Sequence, residues 1–72
     1  MSDGLIHEIE KNSTEVIRFS RTEFRGKPLI DIRVFYQDDD GEYKPTKKGI
    51  TFSPEIFDEF LEGIEKLKEG VE

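Results

Sequence analysis

Cysteine and tryptophan are absent from the sequence, and histidine and methionine occur once each. Without cysteine there is no disulfide framework and no thiolate metal site. The one histidine, His7, lies in a weakly patterned N-terminal stretch with no partner to position it, so it reads as a solvated side chain, not a general acid or base. No Gly-rich phosphate loop of the Walker or dinucleotide type occurs. Asp38-Asp39-Asp40-Gly41 has the opening of a calcium loop, but Glu42 follows at once and Lys44, Lys47 and Lys48 stand where carboxylates should continue. The segment therefore reads as a turn. No enzyme, metal or cofactor is expected. No apolar run approaches the ~20 residues that span a bilayer. Met1-Ser2-Asp3-Gly4 has neither the basic nor the apolar region of a secretory leader. A cytoplasmic protein with no membrane partner is the expectation.

What is present is a short, charged chain. Its 72 residues make one domain. At this size only about 60% of the unfolded surface can be buried, so a lone core is marginal. With disulfides and thiolate metals excluded, a partner chain is the remaining support, and a homodimer is its commonest form. The net charge of −6 argues at first against a phosphate-rich partner. Its distribution reverses that. Residues 1–15 carry a net −3 and residues 50–72 a net −5, whereas residues 16–49 carry +2. Outside the acidic turn at residues 38–42, the middle holds eight bases against two acids. Fields are screened over about 8–10 Å, so a segregated patch outweighs the total.

The pattern along the chain is strands, then a helix. Residues 1–12 read as a flexible N-terminus or short edge segment, and residues 13–72 as the folded domain. Val16 to Arg21 alternates apolar and polar residues, with Arg18 and Ser20 on one face and Ile17 and Phe19 on the other. Phe24 to Pro28 reads as a turn around Gly26. Leu29 to Tyr36 is the strongest strand, rich in β-branched and aromatic residues. Ile30, Ile32, Val34 and Tyr36 share one of its faces; Leu29, Asp31, Arg33 and Phe35 share the other. After the acidic turn, Tyr43 and Lys44 start a short third strand limited by Pro45, residues 46–49 turn, and Ile50 to Phe52 is the fourth.

The period then changes. Ser53 suits an N-cap and Pro54 the first helical position. Ile56, Phe57, Phe60, Leu61, Ile64 and Leu67 recur at helical spacing, Lys66 and Lys68 lie near the end, and Gly70 can terminate the helix. The fold class is α+β: a four-stranded antiparallel sheet followed by one C-terminal helix. One helix covers one face of such a sheet, so the other is wet, ligand-covered or paired. The stripe is generous for a small sheet, which favours packing of the helix on a second helix. Gly63, inside it, costs about 1 kcal/mol against alanine and suits a site where another backbone approaches.

The chemistry lies in the middle. A single-stranded nucleic acid needs cations along its phosphates and flat side chains on which bases stack. Phe24-Arg25-Gly26-Lys27 places an aromatic and two cations at a strand end. Arg33 and Tyr36 follow on the next strand, then Tyr43, Lys44, Lys47 and Lys48, with Arg18 and Arg21 on the first strand. By default such aromatics are packing residues and such cations solvated charges. Arg33 and Tyr36 also have opposite parity, so only a bulge or strong curvature aims both at one ligand.

The run from Phe24 to Arg33 (Phe-Arg-Gly-Lys-Pro-Leu-Ile-Asp-Ile-Arg) and that from Gly41 to Ile50 (Gly-Glu-Tyr-Lys-Pro-Thr-Lys-Lys-Gly-Ile) closely resemble the single-stranded-DNA-binding domain of the transcriptional coactivator positive cofactor four and its bacterial relatives. The likeness extends from about Ile17 to Ile64. It implies a curved antiparallel sheet and C-terminal helix, a homodimer formed through helices and sheet edges, and sequence-tolerant binding of single strands or unwound duplex. The family's contacting aromatic falls on Phe24, its turn cations on Arg25 and Lys27, its strand arginine on Arg33 and its hairpin cations on Lys44, Lys47 and Lys48. Its second-strand tryptophan falls on Tyr36, a smaller stacking surface. The Ser/Lys-rich regulatory tail of the eukaryotic coactivators has no counterpart in this sequence. That implies a bacterial or phage protein, cytoplasmic and nucleoid-associated, serving transcription, replication or repair. Two alternatives stay open: an adaptor docking a protein partner through the acidic helix face, and RNA binding on the same sheet surface.

Overall fold

The computed structural model describes residues 4–70. Residues 1–3, on which part of the leader argument rests, and residues 71–72 lie outside them. Four antiparallel strands, β1 (Leu5–Glu10), β2 (Glu15–Phe24), β3 (Lys27–Gln37) and β4 (Tyr43–Phe52), form one open meander in chain order. A 3-10 turn at Pro54–Ile56 leads into α1 (Phe57–Glu69).

The β2–β3 hairpin is the frame. Its register is unbroken from Glu15 opposite Tyr36 to Phe24 opposite Lys27. The turn is only Arg25 and Gly26, with φ of 55° and 79°. Two positive φ values are what a two-residue hairpin twisted like its strands requires. Asp38 closes the next turn: its side chain accepts from the Asp40 and Glu42 amides at 2.9 and 3.0 Å, and Gly41 takes φ 85°.

The count of four strands and a helix matches the sequence reading; the residues supplying them differ. Leu5–Glu10 forms the first strand, paired to β2 with a register shift between Leu5 and His7. The expected third and fourth strands are one strand, β4, running through Pro45 and across residues 46–49. Pro45 is tolerated because β4 is an edge. Residues 46–48 form a bulge instead of a turn: Arg33 pairs with Gly49 and Phe35 with Pro45, so β4 spends four residues where β3 spends two. Ser53 caps the 3-10 turn by accepting from the Glu55 amide, one turn before the α-helix proper. Gly70 ends α1 in the right-handed region at φ −91°, so no left-handed cap is used.

Alternation and register divide the sheet into a helix face and an open face. Ile17, Phe19, Ile30, Ile32 and Phe52 belong to the helix face. Phe52 stacks on Phe60 at 4.6 Å, and a groove of about 290 Å³ lies between Phe19, Ile30 and Ile32 of the sheet and Phe57, Phe60 and Leu61 of α1. The core is slight. Among the described residues Val16 is the sole buried hydrophobic, while Leu61 and Ile64 are about half exposed and Leu67 is 72% exposed.

Candidate nucleic-acid interface

The open face carries an arginine between two aromatics. The Arg18 guanidinium lies 4.8 Å from the Phe35 ring centroid and 5.1 Å from that of Tyr43. Register explains the meeting: Val16 stands opposite Phe35, Gln37 opposite Tyr43, and Arg18 is two residues along from Val16 on the same face. Arg18 also stands directly across from Arg33. Two like charges so placed repel, and each has its own acid. Arg18 Nε donates to Glu8 across the β1–β2 ladder at 2.8 Å. Arg33 Nη2 donates to Asp31 at 2.9 Å.

The Arg33–Asp31 pair is part of a wider clasp. Arg33 Nε donates to the second Asp31 oxygen at 3.3 Å and Nη1 to the Thr46 carbonyl at 3.0 Å. Thr51 Oγ1 donates to Asp31 at 2.8 Å. Partial burial opposes the Asp31 charge, but the hydrogen bonds from Arg33 and Thr51 prevail and hold its carboxyl below the ordinary aspartate value. The same pairing raises the Arg33 pKa.

At the β2–β3 tip, Phe24 is 60% exposed and the Arg25 guanidinium sits 5.2 Å from its ring centroid. Lys27 stands opposite Phe24 on the same face. From Lys27 to Phe35 this face spans about 26 Å at the usual strand rise of about 3.3 Å per residue.

The structure therefore gathers Arg18, Phe24, Lys27 and Arg33 on one face, with Arg25 at its tip. It does not bring Tyr36 to Arg33. The sheet's bulge lies on β4 and does not change their parity; β3 pairs regularly with β2 throughout, so Tyr36 faces the helix side with Glu15 and Lys44 across from it. Lys44 is bound to Asp38 at 3.0 Å, which raises its pKa and lowers that of Asp38. Arg21 lines the helix-side groove. Lys47 and Lys48 lie in the β4 bulge, Lys48 beside Ile17, Ile32 and Val34 on the helix side. Arg21, Arg25, Lys27, Lys47 and Lys48 form no ion pair with another described residue. Phe35 is the aromatic that motif reasoning passed over; its parity with Arg33 was the available signal.

Comparison with known proteins agrees on the fold. The family model for Transcriptional Coactivator p15 (PC4) matches residues 11–63. The RNA polymerase II transcriptional coactivator SUB1 of Saccharomyces cerevisiae is 42% identical over 57 residues, which is 78% of this chain but only 18% of that protein. A PC4 homolog from Burkholderia pseudomallei superposes with a TM-score of 0.87 at 31% identity, covering 93% of this chain and 98% of the other. A bacteriophage T5 homolog of PC4, implicated in recombination-dependent DNA replication, gives a TM-score of 0.73 at 26% identity over 93% of this chain and 77% of its own.

Proposed function

From a chain that belongs to the PC4 family of transcriptional coactivators, we propose sequence-tolerant binding of single-stranded DNA by a homodimer, without catalysis. The carrying observation is the open face: Arg18 held between Phe35 and Tyr43, with Phe24, Arg25 and Lys27 exposed at its tip. Flat rings beside cations on a rigid sheet supply stacking and phosphate neutralisation together. The acids of the helix lie elsewhere, so the negative total does not blanket this face. The homodimer is supported by there being a single buried hydrophobic among the described residues and by the uncovered apolar stripe of α1. The same reading makes the protein cytoplasmic and nucleoid-associated, acting where single strands are exposed in transcription, replication or repair.

The test is fluorescence polarisation with labelled oligo-dT and with duplex DNA, each at two salt concentrations. The expected result is preference for oligo-dT and a log–log loss of affinity with salt, about 0.7 per phosphate neutralised. Charge reversal of Arg25 and Lys27 together, at the tip of the open face, is expected to weaken binding and flatten that slope. Affinity indifferent to salt, or equal in wild type and variant, removes the assignment. A matched RNA oligomer binding more tightly than DNA shifts the reading to RNA.

A further inference from the structure

Arg33 stands on the open face, yet its guanidinium is already occupied. Of its five N–H groups, Nε and Nη2 hold Asp31, Nη2 also reaches Thr51 Oγ1 at 3.3 Å, and Nη1 holds the Thr46 carbonyl. Thr46 is the first residue of the β4 bulge. Its hydroxyl donates to the Val34 carbonyl at 2.8 Å and accepts from the Lys48 amide at 3.1 Å. The bulge is thus tied to β3 at Thr46, and Gly49 lies flush on β3 at its other end, where an added Cβ would stand 2.7 Å from the Ile32 carbonyl oxygen. Between these anchors sit Lys47 and Lys48, neither ion-paired with a described residue.

We propose that Arg33 is a positioning residue: through Asp31, Thr51 and the Thr46 carbonyl it fixes the residue 46–48 bulge and so sets where the Lys47 and Lys48 ammonium groups meet phosphate. This rests on the DNA-binding reading above. A direct phosphate ligand would need a pair of N–H groups free; here four of the five are engaged, two of them by a bidentate carboxylate of opposite charge, and such pairs are the strong ones.

Two substitutions separate the roles by sign. Arg33→Lys keeps the cation but cannot span three acceptors. Asp31→Asn keeps Arg33 and removes the competing acid. Amide hydrogen exchange and oligo-dT polarisation are measured on wild type, on both variants, and on each combined with Lys47→Ala and Lys48→Ala. If Arg33 positions the bulge, the Lys48 amide exchanges about tenfold faster in both variants, as local opening becomes easier. Both then bind oligo-dT about fivefold more weakly, the coupling expected within one hydrogen-bond network. The lysine substitutions also cost less in the Arg33→Lys background than in wild type. Tighter binding by Asp31→Asn makes Arg33 a phosphate ligand and overturns the inference. Unchanged Lys48 protection in both variants overturns it too, whether or not DNA binds. If wild type itself ignores oligo-dT, the DNA reading fails, while the exchange data still decide whether Arg33 holds the bulge. A variant without a cooperative melt is replaced by Thr51→Val, which removes one link of the clasp and no charge; under positioning its Lys48 amide is deprotected as well.

Discussion

Arg25 adopts φ 55°, the left-handed region, beside Gly26 in the same region. A side chain with a Cβ is strained there, at roughly 1–2 kcal/mol, whereas asparagine tolerates it. The hairpin would close more easily with another residue, so the strain is retained where a cation meets the exposed Phe24 ring. Arg25→Asn is therefore expected to raise stability by up to about 1 kcal/mol while weakening oligo-dT binding. Thermal melts and polarisation on the same preparation check both signs. Glu8 is the converse case. Its carboxylate holds Arg18 on the open face and would compete with a bound phosphate for it. Glu8→Gln is expected to tighten binding by a few-fold at low salt, with the gain fading as salt rises. Asp31 adds a pH signature. Its carboxyl is held below the ordinary value, so the charged form stabilises the fold in full above about pH 4 and loses that contribution as pH falls through the lower folded pKa. The melting-temperature gap between wild type and Asp31→Asn should be constant near neutrality and close below about pH 4.

At the scale of elements, the β2–β3 hairpin and α1 were legible because their signals are local. Alternation set the β2 and β3 faces, Gly26 marked the turn, and the spacing from Ile56 to Leu67 announced the helix. β4 was not legible as one strand. Pro45 and Gly49 both argue against a strand when read alone. What makes them compatible is tertiary: β4 is an edge, and Arg33 and Thr46 reach across to pin the extra residues. The opposite parity of Arg33 and Tyr36 is legible in the sequence and holds in β3, which pairs regularly with β2; the bulge in β4 is not legible. Gly49 itself is explained only by the packed sheet, since a Cβ there lies 2.9 Å from the Arg33 Cα. Gly49→Ala should thus push β4 off β3 and cost about 1–3 kcal/mol, the usual toll of overpacking. Denaturant melts measure it, and a loss below about 0.5 kcal/mol, typical of uninvolved surface sites, would mean the two strands are not held in this register.

At the scale of the molecule, the sheet and its one helix leave more apolar surface uncovered than a small soluble chain can readily carry. Ile50, Phe57, Leu61, Ile64 and Leu67 are each more than 40% exposed, and Val16 alone among the described hydrophobics is buried. Burying a side chain of this kind contributes about 1.5–3 kcal/mol, so covering the stripe with a second copy would supply stability that the single chain lacks. Folding is then linked to association, and the melting temperature should climb with protein concentration. Leu67 is the cleanest probe of this. It is 72% exposed and does not line the groove between α1 and its own sheet, unlike Leu61 and Ile64. In an isolated chain Leu67→Asp would be an ordinary surface change, within about 0.5 kcal/mol. In a homodimer joined through α1 it places a charge in the interface, lowers the melting temperature well beyond that, and halves the sedimenting mass at micromolar concentration. Sedimentation of wild type as a stable folded monomer, with Leu67→Asp melting at the same temperature, would leave the helix stripe uncovered and dismiss the dimer.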